Sequence, residues 1–250
     1  LPPLQCTIGY GSGVFRQRGY DYARRPMVDL VFVVRDAEVA EWHAENISRC
    51  PGHYASLLRV LGPSAIARVQ RLGPGLYYNP HVELATRSGT AIEAKYGVIT
   101  AEALLEDLED WRWLYMAGRM HKPCLVEHHG GDPELERRID AAAAANLRAA
   151  LCAALLLSRP GPSLEMLSVL ERIARLSYDG DIRVGIAENP SKVSNIVRAQ
   201  QEDLCRMYLP VAADLGATVL PAAPGAGSEA GPEAAALAVD LGAAGRRRLF

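Results

Sequence analysis

The chain has 250 residues, with 27 Lys plus Arg against 29 Asp plus Glu and a formal net charge of -2. That length buries one large core or two modest ones. The near-neutral balance argues against general nucleic-acid binding by charge, so any anion site has to be a local cluster of basic side chains. Cys6, Cys50, Cys124, Cys152 and Cys205 are scattered, odd in number and never spaced Cys-x-x-Cys, which fits a reducing compartment and offers no zinc site.

Gln5 to Tyr10 reads as a first strand running into the turn Gly11-Ser12-Gly13. After a polar connection, Met27 to Val34 is an almost unbroken apolar run rich in β-branched residues, the pattern of a central strand buried on both faces. Asp29 sits inside it. An unpaired carboxylate there would cost several kcal/mol, so it needs a metal, a cation or a set of donors. The glycine turn before it exposes backbone N–H groups and one hydroxyl, which suits a triphosphate; a plain hairpin turn is the alternative. Asp36-Ala37-Glu38 opens a helix through about Ser48, Pro51-Gly52 breaks the chain before His53-Tyr54, and helices follow over Tyr54 to Val60 and Ala65 to Leu72. Leu76 to Ala85 and Ala91 to Ile99 read as strands, and Thr100 as the cap of a helix carrying Ala103, Leu104, Asp107 and Leu108. Trp111, Trp113 and Tyr115 alternate as a core or interface strand would, or as an acyl-chain contact. Cys124 to Val126 is a further apolar strand.

Gly130-Gly131-Asp132-Pro133 marks a domain boundary. Beyond it the pattern is helical over Glu134 to Leu157, Ser163 to Leu176, Lys192 to Ala199 and Gln201 to Leu209. No apolar stretch approaches the ~20 residues of a membrane span. Residues 214–250, rich in Ala, Gly and Pro, are expected to be a disordered tail. Its terminal Arg246-Arg247-Arg248-Leu249-Phe250 can touch anionic lipid at about 1 kcal/mol per basic residue, too little to anchor a protein. The chain opens on Leu1-Pro2-Pro3 rather than Met, and an upstream segment is expected to have been removed, so the sequence carries no information on a targeting peptide.

Gly11-Ser12-Gly13 followed by a strand-borne Asp29 resembles the nucleotidyltransferases of the DNA polymerase β superfamily. Those enzymes usually carry a second acid two residues on, where this chain has Val31. Asp36 cannot replace it, because seven residues of strand put it roughly 23 Å away. A longer series of fragments coincides in order with one family. They are Gly9-Tyr10-Gly11-Ser12-Gly13-Val14-Phe15, Val28-Asp29, Trp42-His43 with Asn46, His53-Tyr54, Tyr77-Tyr78-Asn79, Lys95-Tyr96-Gly97-Val98-Ile99, Glu106-Asp107-Leu108, and Ala117-Gly118-Arg119 with Lys122-Pro123. Ser177-Tyr178-Asp179-Gly180-Asp181 with Arg183, Lys192-Val193 and Asn195-Ile196-Val197 extend it. From about residue 6 to 210 the chain resembles the mitochondrial CTP:phosphatidate cytidylyltransferases of the translocator assembly and maintenance family.

The resemblance implies an α/β (α+β) nucleotidyltransferase domain over 1–129 and a mostly helical, winged-helix-like domain over 130–213, with CTP bound near their junction. It also implies transfer of CMP from CTP to phosphatidic acid, giving CDP-diacylglycerol for cardiolipin synthesis, by a peripheral protein on the matrix face of the mitochondrial inner membrane. On that reading Gly11, Ser12 and Gly13 hold phosphates, and Asp29 holds Mg2+. Lys95 contacts the triphosphate, because a cation in an apolar strand needs an anionic partner. His53 is a phosphate donor or a plain turn histidine. Arg119 and Lys122 converge on one anion or form a solvated pair. Asp107 bonds Arg119 or supplies the missing metal ligand, for which Glu83 is a further candidate. Asp179, Asp181 and Arg183 close over the nucleotide or cap the next helix. Lys192, Asn195 and Arg198 share a helical face that receives the lipid phosphate or is simply solvated. Two rival functions remain: a nucleotidyltransferase for another acceptor, and a non-catalytic scaffold for inner-membrane translocators, to which Val31 lends weight.

Overall fold

The computed structural model describes residues 1–15, 26–86, 88–158, 164–178, 192–220 and 238–240. Its first sheet contains β1 (Cys6–Tyr10), β2 (Val28–Val34), β3 (Leu76–Ala85), β4 (Ala91–Thr100) and β5 (Cys124–His128), in the spatial order β3-β4-β2-β1-β5. β2 pairs antiparallel with β1 and parallel with β4, so the apolar run is a central strand. The helices of this part are α1 (Val39–Arg49), α2 (Ser56–Leu61), α3 (Pro63–Gln70), α4 (Ala101–Asp110), α5 (Met116–Met120) and the long α6 (Pro133–Leu156), with single helical turns at Asp36–Glu38 and Pro51–His53.

The alternation along β2 explains why both faces of the sheet are dry. Val31 and Val33 join Cys6, Ile8 and Ile99 under Leu104 and Leu108 of α4 and Met116 of α5. Phe32 and Val34 join Tyr96 and Val98 under Val39, Trp42 and Ala67 of α1 and α3. Asp29 belongs by alternation to the first face, one pleat beyond Val31, where the helical cover ends. Thr100 caps α4 as expected, its hydroxyl accepting from the Ala103 N–H at 3.2 Å.

Residues 111–115 are not a strand. Trp111 and Leu114 have φ of 54° and 53°, left-handed conformations that break the two-residue alternation the spacing suggested. Asp107 holds this bend: its carboxylate accepts from the N–H groups of Trp113 at 2.7 Å, Met116 at 2.7 Å and Ala117 at 3.0 Å.

The chain divides into two compact units, Leu1–Met120 with Cys124–Ala144, and His121–Pro123 with Ala145–Phe250. The second contains the end of α6, β6 (Leu164–Glu165), α7 (Met166–Arg175), α8 (Lys192–Ala199), α9 (Gln201–Asp214), β7 (Thr218–Leu220) and β8 (Ala238–Asp240). α9 continues past Pro210, beyond the expected end at Leu209, with Tyr208 and Ala212 buried on either side of it. Within the stretch expected to be a disordered or weakly ordered tail, β7 and β8 pair antiparallel, and β8 also pairs with β6. Low-complexity composition around these three-residue segments concealed them. Against the expectation that no stretch nears span length, α6 is long and apolar enough to cross a membrane by length and composition. Here Ile139 and Ala142 lie in the first unit's core, and Ala150, Leu151 and Ala154 are buried in the second.

Candidate active site

Strand register puts two predicted site residues, Asp29 and Lys95, in a row with Tyr10. Tyr10, the last residue of β1, stands opposite Asp29, and Asp29 stands beside Lys95 in the parallel pair. Neighbours in register share a face, so all three lie on the face that α4 and α5 cover, with Tyr10 buried in its core. The chain then turns at Gly11, whose φ is +77°. The Gly11 carbonyl accepts from Val14 N–H at 3.2 Å and Phe15 N–H at 2.9 Å, closing the turn. A Cβ on Gly11 would lie 2.9 Å from Asp29 Oδ2, and one on Gly13 only 2.4 Å from the Met27 carbonyl oxygen. Both positions therefore require glycine, and a half-buried Ser12 sits between them.

Asp29 is half-buried. Burial raises its carboxyl above the ordinary value, against the attraction of Lys95 and then Arg119. Among the described residues its carboxylate makes no hydrogen bond or ion pair. Lys95 Nζ lies 4.6 Å from the centre of the Tyr78 ring. That ring passes over Gly97, where a Cβ would come within 2.9 Å of Tyr78 Cε1. Arg119 lies 4.0 Å from the Tyr10 ring centre and 5.2 Å from that of Tyr115, and it donates to the Tyr115 hydroxyl at 3.2 Å. Tyr115 in turn donates to Tyr78 at 3.2 Å. The Arg119 Nε is buried without a hydrogen-bond partner. Two cations held on aromatic faces beside one acid leave the site a net positive charge, suited to an anionic ligand.

The sequence does not single out Tyr10 and Tyr78 as site residues, and it reads Tyr115 only as part of a core or interface strand or an acyl-chain contact. Tyr10 and Tyr78 occur in the matched fragments, and Tyr78 pairs directly opposite Gly97. Other expectations fare differently. His53 Nδ1 lies 2.9 Å from the Tyr96 hydroxyl, and Tyr96 belongs to the sheet face opposite Asp29 and Lys95, so the structure does not bring His53 to this cluster. Asp107 neither bonds Arg119 nor faces the site; backbone N–H groups occupy its oxygens. Glu83 is exposed on the edge strand. Lys122 belongs to the second unit, where it donates to the Ser177 hydroxyl at 3.1 Å. Asn195 and Arg198 are exposed on α8, as the three-residue spacing implied, and Lys192 begins that helix. Asp179, Asp181 and Arg183 lie outside the described residues.

Among the described residues no three His, Cys, Asp or Glu side chains gather as a metal cage. Val31, where a second acid was sought, is fully buried in the core. Among the described residues Asp29 is the carboxylate packed against the turn, at Gly11. Together with the Ser12 hydroxyl it fits a hard cation such as Mg2+, which commonly takes one or two carboxylates and completes its shell from phosphate and water.

A mixed sheet ending in a substitution-intolerant glycine turn, beside an acid without a hydrogen bond or ion pair among the described residues and two ring-held cations, makes this an α+β protein. The chain belongs to the family described as "Phosphatidate cytidylyltransferase, mitochondrial", whose model matches residues 1–243. Relatives of that name include one from Drosophila melanogaster, 44% identical over 222 residues, covering 84% of this chain and 61% of the relative. Another, from Xenopus laevis, is 41% identical over 214 residues, 84% of this chain and 59% of the relative. A third, from Schizosaccharomyces pombe, is 38% identical over 211 residues, 84% and 50%. The chain thus spans between half and about three fifths of the length of these relatives.

Proposed function

We propose that this chain transfers CMP from CTP to phosphatidic acid, releasing pyrophosphate and forming CDP-diacylglycerol for cardiolipin synthesis. The observation that carries the reading is the unpaired Asp29 carboxylate packed against Gly11, with Lys95 in register beside it and Arg119 above Tyr10. Membership of the family supplies the substrates. The five-stranded mixed sheet with its acid on a central strand supports a polymerase β-type nucleotidyltransferase fold for the first unit. Three helices followed by paired short strands support a winged-helix-like second unit.

In this reading Gly11, Ser12 and Gly13 receive the β- and γ-phosphates through backbone donors and one hydroxyl. Lys95 and Arg119 neutralise the triphosphate, and Arg119 Nε gains a partner it otherwise lacks. Asp29 would hold Mg2+, which would supply further charge neutralisation. A phosphate oxygen of phosphatidic acid attacks the α-phosphorus in line, forming one P–O bond as the α–β P–O bond breaks and pyrophosphate leaves. The nucleophile is already an anion, so no general base is needed, and catalysis rests on positioning and charge. Asn195 and Arg198, with Lys192, are proposed as contacts for the lipid phosphate. The protein acts in the mitochondrion, peripherally on the matrix face of the inner membrane.

The test supplies CTP labelled at its α-phosphate with phosphatidic acid, with RNA, or with neither. Label in lipid alone is the expected result; label in RNA overturns the acceptor assignment. The scaffold reading is favoured by Val31 alone, and it gains if Asp29→Ala and Ser12→Ala both leave cardiolipin synthesis intact in cells.

A further inference from the structure

Between Asn46 and Val82 the sequence contains no Asp or Glu at all. At the chain's average density, 29 acids in 250 residues, a stretch of that length carries about four. The same stretch holds Arg49, Arg59, Arg68 and Arg71. Arg49 pairs with Glu45 and Arg71 with Asp36, both acids outside the stretch. Arg59 and Arg68 are exposed and have no carboxylate partner among the described residues.

These arginines flank an apolar surface. α2 is held to the body of its unit by Leu58, which packs against the cluster of Tyr54, Ile66 and Tyr77. Its other large side chains face outward: Leu57 is 69% exposed, Val60 84% and Leu61 58%. Val69 and Leu72, at and after the end of α3, add 47% and 71%. Three bulky apolar groups at i, i+3 and i+4 on so short a helix form a protruding ridge, not a groove for another chain. A protein interface usually mixes charge signs at its rim, whereas an anionic bilayer disfavours every carboxylate and rewards each arginine.

The segment leading into the ridge touches the sheet near the proposed site, on its other face. The 2.9 Å contact between His53 Nδ1 and the Tyr96 hydroxyl ties the turn Pro51–His53 to β4 one residue along from Lys95, on the face opposite Lys95 and Asp29. α2 starts three residues later.

We propose that the α2–α3 corner is the surface by which this protein docks on an anionic lipid bilayer, with Leu57, Val60 and Leu61 entering the interface and Arg59 and Arg68 at the headgroups. The inference deepens the proposed function, because phosphatidic acid in a bilayer has to be met at its surface.

The test measures flotation of the whole chain with phosphatidylcholine vesicles, with and without phosphatidic acid. It also measures turnover of two phosphatidates, one long-chain and held in vesicles, the other short-chain and water-soluble. Arg59→Gln with Arg68→Gln should weaken binding to anionic vesicles about thirtyfold, from ~1 kcal/mol per basic residue. Leu57→Ser with Val60→Ser should weaken it by about tenfold or more. Both pairs should slow turnover of vesicle-held phosphatidate and leave the soluble substrate unaffected. The proposal is overturned if the unaltered chain does not float, if neither pair changes flotation (the ridge then serving a protein partner), or if both substrates suffer equally. Should the chain turn over neither substrate while flotation falls as expected, the cytidylyltransferase reading fails and the docking surface stands.

Discussion

Burial makes the charged form of Asp29 costly to the fold. Its folded-state carboxyl titrates above the ordinary value, chiefly through burial. As pH rises, the unfolded chain therefore releases this proton first, and the fold loses stability through the ordinary carboxylate range near 4 and above it. Asn in its place should raise the thermal midpoint of the ligand-free protein at neutral pH. The gain should be under about 1 kcal/mol, because the half-exposed group is screened by solvent, and should vanish in acid. The same variant should lose roughly a hundredfold or more in kcat/KM for CTP. Gly11→Ala combines a left-handed φ of +77° with a Cβ 2.9 Å from Asp29. Urea unfolding should show a loss of about 1–2 kcal/mol, and CTP with Mg2+ should no longer raise the melting temperature. Asp29 and Lys95 were legible because a charge inside an apolar strand stands out. The tyrosines that hold the cations were not, because an aromatic in a strand reads as core.

At the scale of elements, α5 depends on Asp107. Its three backbone N–H bonds anchor the left-handed bend and the start of the helix that carries Arg119. Asp107→Ala leaves those donors without an acceptor and should cost about 3 kcal/mol in urea unfolding, while KM for CTP rises as Arg119 loses its place. Neither role expected for Asp107 allowed for this, since sequence alternation over Trp111 to Tyr115 cannot register a positive φ. α1 is tied to its surroundings by polar groups as well as by packing. His43, fully buried, meets the Tyr54 hydroxyl at 2.8 Å and the Gln70 Oε1 at 2.8 Å. Burial lowers its pKa, against the hydrogen bond to the Gln70 Oε1. The unfolded chain therefore takes up this proton first as pH falls, and stability present above the ordinary histidine value near 6.5 is lost below it. His53 is shifted the same way, chiefly by burial. Urea midpoints measured down to about pH 5.5 should fall, and His43→Gln should flatten the slope without removing the part due to His53.

For the whole molecule, the central place of β2 follows from composition, because an almost unbroken apolar strand needs cover on both faces; its parallel pairing with β4 came from the structure. The tail strands did not follow, because three-residue segments in Ala-, Gly- and Pro-rich sequence carry no measurable period. The carboxylate-free stretch from Asn46 to Val82 was readable in the letters, yet its meaning depends on the exposure of α2. The most direct measurement is diffraction from crystals holding CTP and Mn2+ in place of Mg2+. Anomalous density is expected about 2.1 Å from an Asp29 carboxylate oxygen, with the triphosphate over Gly11 to Gly13 and within reach of Lys95 and Arg119. An Asp29 carboxylate turned into an ion pair with Lys95 or Arg119, with the nucleotide bound elsewhere, would contradict it.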